Sequence, residues 1–355
     1  MKALVLSGGS GTRLRPFSYS MPKQLIPVAN TPVLVHVLRN IRELGITEIG
    51  VVVGDRAPEI EAVVGDGSRF GASVTYLRQD APRGLAHTVA VARDFLGDDD
   101  FVMYLGDIML PDGIVAAADE FAARRPAAQV VVHKVADPRA FGVVELGTDG
   151  EVQRLVEKPE DPRSDLALCG VYFFTSAVHE AVAAIPPSPR GELEITDAVQ
   201  WLVTAGADVR AHLYDGYWKD TGRVEDVLEC NRHLLGRLDR LVSGHVDAES
   251  ELIGEVVVEP GARIVRSRIT GPVIVGAGSI VQDSQLGPYT SVGRDCVVTG
   301  SRLADSIALD GASVTGIAGL RHSLIGRSAS VGAVTEEGDH VRLVVGDHTR
   351  VEVAA

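Results

Sequence analysis

Up to about residue 240, short apolar runs alternate with segments whose apolar residues recur at helical spacing. Residues 3–6, 49–53, 74–77, 101–105, 130–135 and 152–156 read as strands, and residues 32–44, 85–95 and 114–124 as amphipathic helices. Strands separated by helices make a βαβ series, so the expected class is α/β, a mostly parallel sheet covered by helices. Ligands in such sheets bind beyond the carboxyl ends of the strands, which makes the loops after strands the place to look for chemistry.

After about residue 240 the helical period disappears. At an offset of 17 residues Val258, Val275 and Val292 share a column, as do Ile264, Val281 and Val298, and Ile269, Leu286 and Leu303. Ser267, Ser284 and Ser301 make a fourth column. Within a turn the aliphatic positions are spaced six, five and six residues apart. Three short strands per coil, each sending one aliphatic side chain inward, describe a parallel β-helix of hexapeptide-like repeats with one pentad per coil. Ser306-Ile307 and Ser323-Leu324 keep the offset, but the columns are expected to decay there towards a cap. Apolar runs at 341–345 and 351–353 are expected to close the open end. The pattern therefore predicts one domain over residues 1–240 and a β-helix domain over 241–355, whose flat faces predict a homo-oligomer.

Charge narrows the partners. Thirty-four basic against forty-eight acidic residues leave the chain at −14, which argues against nucleic acid or an anionic membrane, both of which need basic surfaces. No apolar run approaches the roughly 20 residues of a membrane span, and the apolar start is too short for a signal peptide. Cys169, Cys230 and Cys296 are too scattered for a metal site or a disulfide framework, so a reducing cytoplasm is expected.

Candidate chemistry begins directly after the first strand, in Gly8-Gly9-Ser10-Gly11-Thr12-Arg13-Leu14-Arg15-Pro16. Glycines let backbone amides crowd around an anion, and Arg13, Arg15 and the later Lys23 supply fixed positive charge for a triphosphate. The spacing is neither a Walker loop nor a dinucleotide fingerprint. Asp107 ends an apolar strand run and Asp220 precedes a helix, so two carboxylates from separate loops are available for Mg²⁺. Glu157, at another strand end, is an acceptor for sugar hydroxyls beside Lys158 as a phosphate contact. Gln79 has an amide that both donates and accepts, as the imide edge of thymine or uracil requires.

The glycine loop, Lys23-Gln24-Leu25, Gly84-Leu85-Ala86, Leu105-Gly106-Asp107, Phe141-Gly142-Val143, Glu157-Lys158-Pro159, the run 190–197 and Trp218-Lys219-Asp220-Thr221-Gly222 together resemble the sugar-1-phosphate nucleotidyltransferases. Within that family the resemblance is to the thymidylyltransferases of the long form. It covers essentially the whole chain, and it implies a Rossmann-like catalytic domain followed by a left-handed β-helix.

The implied reaction joins dTTP to α-D-glucose 1-phosphate, giving dTDP-glucose and pyrophosphate, with Mg²⁺ as cofactor. The resemblance assigns Gly8, Gly9, Gly11 and Thr12 to the nucleotide phosphates, and Arg13 and Lys23 to charge neutralisation in catalysis. It gives Asp107 and Asp220 to the metal, and Gln79 and Gly84 to the base. Gly142, Glu157, Lys158 and Arg190 fall to the sugar phosphate. Phe141, His87, Ile108 and Lys219 stand where short thymidylyltransferases tend to have Tyr, Gln, Asn and Leu, which bears on specificity. Two alternatives use the same chemistry, UTP with glucose 1-phosphate or GTP with mannose 1-phosphate; a third is a non-catalytic subunit that senses sugar nucleotides. No histidine after residue 240 is expected within a regular coil, so the β-helix is read as structural rather than as a second enzyme.

Overall fold

The computed structural model describes residues 1–9 and 11–333, which form two compact units sharing the chain discontinuously. Residues 1–9 and Val33–Asp220 build the first, and Gly11–Pro32 with residues 221–333 build the second. Among the described residues no helix is long and apolar enough to cross a membrane.

The first unit is a nine-stranded sheet: β1 Lys2–Ser7, β2 Glu48–Val53, β3 Ser73–Arg78, β4 Phe101–Leu105, β5 Ala128–Lys134, β6 Gly142–Leu146, β7 Val152–Glu157, β8 Leu166–Phe174 and β9 Val209–Leu213. The order is β7-β6-β8-β4-β1-β2-β3, with β5 also on β8 and β9 on β5. β1 to β4 run parallel, as βαβ crossovers require, whereas β8 runs antiparallel to β4, β5 and β6. The central strands are apolar throughout because both faces are covered; Ala3, Leu4, Val5, Phe101 and Tyr104 are wholly buried.

Helix α1, Val33–Glu43, buries Leu34, Val37, Leu38 and Ile41, a stripe at helical spacing. The single helix expected over 85–95 is instead α2, Leu85–Val91, followed by a separate one-turn helix at Arg93–Leu96. The break falls at Ala92, whose φ of −87° and ψ of 3° are too open to continue the ladder. Later in the chain come α3, Ile195–Thr204, and α4, Val224–Leu235.

In the second unit three ladders of short parallel strands stack coil on coil. The register pairs Val258 with Val275 and Val275 with Val292, Ile264 with Val281 and Val281 with Val298, and Ile269 with Leu286 and Leu286 with Leu303. All nine are buried. The arrangement is consistent with the left-handed β-helix that the resemblance implies.

Two expectations are corrected. The columns do not decay after Leu303. Val292 pairs with Ala308 and Val298 with Val314, an offset of 16, before Leu303 with Leu320 restores 17. One residue is lost at the corner near Asp305 and regained before Leu320, so the inward positions survive while a fixed period misses them. Histidines also occur in the coils: His245 pairs with Arg263 in the first, and His322 turns the corner between Leu320–Arg321 and Leu324–Ile325. The runs at 341–345 and 351–353, with His340 and His348, lie outside the described residues.

Candidate active site

Two acids far apart in sequence become neighbours through a two-residue ladder. β4 ends at Leu105, and the Gly106 amide still donates to the Leu6 carbonyl of β1 at 2.9 Å. Asp107 follows, buried, and Ile108–Met109 then pairs antiparallel with Lys219–Asp220. Asp220 stands opposite Ile108, one residue from Asp107. A bulge in β8 shapes the same region: the register slips between Leu168 and Tyr172, and Gly170 adopts φ +85°. A Cβ at Gly170 would lie 2.8 Å from Leu105 Cδ1 and 2.9 Å from Ile108 Cγ1, so only glycine fits against the acid loop. The bulge also exposes the Cys169 carbonyl, which accepts the Trp218 indole N–H at 3.0 Å and steadies the approach to Asp220.

Beyond the ends of β1 and β3 sit Gly8, Gly9 and Gln79. A Cβ on Gly8 would come 3.3 Å from Gln79 Oε1. Gln79 Nε2 lies 3.0 Å from His87 Nδ1, with the amide donating to the ring nitrogen. That contact leaves Oε1 directed to the Gly8 side. Gly84, at φ +102°, lies so close to Leu193 that a Cβ would meet its carbonyl oxygen at 2.4 Å. The Leu193 amide donates to Arg83 O and its carbonyl accepts from Ala86, sewing the Gly84 turn to the chain before α3.

A third cluster forms because β8 runs past the end of β4: Val171 pairs with Tyr104, whereas Ala167 pairs with Val143. Gly142 and Glu157 pair directly across β6 and β7. A Cβ on Gly142 would be 3.0 Å from Thr196 Oγ1 and 3.1 Å from Glu157 Oε2, and the Thr196 hydroxyl donates to that carboxylate at 2.7 Å. Lys158 places its ammonium 3.6 Å from Glu157. Arg190 lies 2.8 Å from the buried Glu194, 3.3 Å from Glu192 and 3.7 Å from Glu157. Burial, with Glu194 and Glu157 nearby, holds the Asp197 carboxyl above the usual carboxylate range. Phe141 and Trp218 meet edge to face at 5.1 Å.

The second unit carries Gly11, Thr12, Arg13 and Lys23. Gly11 has φ +63°, and a Cβ there would approach the Cβ atoms of Lys23 and Ser18 to 3.2 Å. Glycine thus lets the turn Thr12–Leu14 close on the turn Lys23–Leu25, with Leu14, Leu25 and Ile26 buried beneath. Arg15 lies over the Tyr19 ring, 5.0 Å from its centre.

Thr196 and Glu194 carry no role in the sequence reading, yet they hold Glu157 and Arg190. Their signal was available in the run 190–197, whose acids and threonine precede α3. His87 stands out in the sequence only as a departure at a position bearing on specificity; its hold on Gln79 needs the turn at Gly84, which no spacing reveals.

The nucleotidyl transferase family matches residues 2–237 of this chain. The chain belongs to the nucleotidyl transferase family. This nucleotidyltransferase is 54% identical over 355 residues, the whole of both chains, to a glucose-1-phosphate thymidylyltransferase of Streptomyces griseus. It is 41% identical, over 99% of its own length and all of the relative's, to the low-salt glycan biosynthesis nucleotidyltransferase Agl11 of Haloferax volcanii. A crystal structure of a UDP-glucose pyrophosphorylase with UDP-glucose superposes with a TM-score of 0.60 at 23% identity, covering 66% of this chain and 98% of that one, a likeness of fold.

Proposed function

We propose that this nucleotidyltransferase joins dTTP and α-D-glucose 1-phosphate, giving dTDP-glucose and pyrophosphate. The observation that carries the reading is 54% identity along the entire length of the Streptomyces griseus enzyme. An oxygen of the sugar phosphate attacks the α-phosphorus in line and the pyrophosphate leaves. The attacking phosphate is already ionised, so no general base is needed.

Asp107 and Asp220 are the residues that would hold Mg²⁺. Their adjacency across the short ladder supports this, and a pair of carboxylates suits a cation that keeps most of its waters. When bound, the metal neutralises charge on the phosphate oxygens. Gly8, Gly9, Gly11 and Thr12 offer amides to the nucleotide phosphates, and Arg13 and Lys23 balance the charge of the leaving pyrophosphate. Gln79 and Gly84 read the base. Glu157, held by Thr196, accepts sugar hydroxyls beside Gly142, with Lys158 at the phosphate. Arg190 acts by orienting Glu157 and Glu194, to which it is paired. The proposal places the enzyme in the cytoplasm as a homo-oligomer, the latter supported by the flat ladders of the β-helix.

Gln79 suits the imide of uracil as well as that of thymine, so UTP is the nearest competitor. Pyrophosphate release across four nucleoside triphosphates and several sugar phosphates tests the reading. dTTP with glucose 1-phosphate is expected to be best, and best turnover with GTP and mannose 1-phosphate would sink it. Asp107→Ala is expected to lower kcat at least about a hundredfold without changing the melting temperature. Unchanged turnover would remove the metal assignment.

A further inference from the structure

Strand residues alternate sides, so on one face of the β-helix Val257, Ile274 and Ser291 point away from the interior filled by Val256, Val258, Val273, Val275 and Val292. An outward face of a solenoid ordinarily meets water. Here those three residues are 9%, 6% and 0% exposed. Val257 and Ile274 are covered by Leu235 and Leu238 at the end of α4, and by Ala29.

Ala29 belongs to the segment Gly11–Pro32, which also carries Arg13 and Lys23. It sits with Asn30 at the tip of a hairpin between Pro27–Val28 and Thr31–Pro32, both residues at positive φ, +47° and +60°. The tip is bonded at two points. The Ala29 amide donates to Asn231 Oδ1 at 2.9 Å, and Asn30 Nδ2 donates to the Val292 carbonyl of the β-helix at 2.7 Å. Asn231 lies within α4, 1% exposed, and also accepts from the Ser291 hydroxyl at 2.7 Å and donates to Tyr289 O at 3.2 Å. Further along, Arg327 donates to the Ser20 carbonyl at 2.6 Å.

Asparagine is a poor residue for a helix interior, and burying its amide is costly unless every arm is used. At Asn231 both ends are used, and every partner lies on the hairpin tip or the β-helix. The segment itself consists of three-residue turns and a two-residue hairpin, which supply few bonds of their own. The ties at its tip add to those bonds and fix the hairpin to α4 and the β-helix. Phosphoryl chemistry is unforgiving here, since about 1 Å of misplacement can cost a hundredfold in rate.

We propose that this covered face of the β-helix is a positioning surface for the loop bearing Arg13 and Lys23, with Asn231 and Asn30 as its positioning residues. The β-helix then tunes nucleotide handling, beyond any part it plays in assembly. The inference rests on reading that loop as the phosphate-binding segment.

Asn30→Gly is the cleanest probe. Glycine keeps the positive φ and removes only the side-chain link to Val292. Asn231→Ala, which risks the fold, serves as a second variant, with melting temperature measured for both. Two readouts are taken on the full chain: tryptic cleavage after Arg13 or Lys23, and the separate KM values for dTTP and glucose 1-phosphate. In Asn30→Gly, cleavage in the loop is expected to rise about tenfold, with kcat/KM for dTTP falling by a similar factor. KM for glucose 1-phosphate should stay within about twofold. A merely structural role would lower the melting temperature without splitting the two KM values. Wild-type cleavage and kinetics in Asn30→Gly, or equal effects on both substrates, would overturn the proposal. If the wild-type protein fails to turn over dTTP, the functional reading falls instead, and the cleavage comparison still decides the tether.

Discussion

Single residues in this protein are constrained most where backbone comes closest to backbone. Gly84 combines two such constraints, since any β-carbon would lie 2.4 Å from the Leu193 carbonyl oxygen at a φ of +102°. Gly84→Ala is expected to cost about 3 kcal/mol by denaturant titration, through strain and a broken seam to Leu193. A loss below about 1 kcal/mol would mean the turn can move away. The residue's identity was visible in the motif; its reason was not, because Leu193 is remote in sequence. The same holds for Asp107 and Asp220. Each could be singled out as an acid at the end of an apolar run, but their adjacency depends on the pairing of Ile108–Met109 with Lys219–Asp220, far too short to leave a pattern. Asn231, between Cys230 and Arg232 in an ordinary amphipathic helix, offered no signal at all.

At the scale of elements, legibility follows repetition. The β-helix could be read almost strand by strand because a parallel stack puts like residues over like, and the aliphatic columns record the register directly. Reading stopped where one residue drops out near Asp305, since a fixed offset cannot follow a slip that the inward positions themselves tolerate. The sheet was legible wherever buried parallel strands give unbroken apolar runs. It was less so around β8, whose bulge at Gly170 answers to Leu105 and Ile108 rather than to its own neighbours. The serine column has a load to bear that periodicity alone does not explain: Ser284 Oγ accepts the Ser301 amide at 3.0 Å and donates to Gln282 O at 2.7 Å. Ser284→Ala leaves the buried Ser301 amide without its acceptor, while Gln282 O keeps the Gly300 amide at 3.0 Å, so a loss of about 1–3 kcal/mol is expected in the unfolding of the β-helix. A neutral result would show that the coils rest on their aliphatic columns alone.

For the whole molecule, the second compact unit is assembled from two stretches of chain, Gly11–Pro32 and residues 221–333. Removing residues 241–355 would uncover Leu235, Leu238 and Ala29, which pack with Val257 and Ile274 in the full chain. Such a truncation is expected to keep the circular dichroism of the α/β sheet while losing nearly all turnover; retention of full activity would argue that the loop holds itself. The hairpin tip also sets a timetable for synthesis. Asn30 is made 262 residues before Val292, and Ser20 is made 307 residues before Arg327. At about 5–20 residues per second, roughly 10–60 s pass on the ribosome before the loop meets its support. The segment with Arg13 and Lys23 is therefore among the first made and among the last to be fixed. A chain released early would carry the sheet but an unfinished loop, so interrupted translation yields idle protein rather than a half-controlled enzyme.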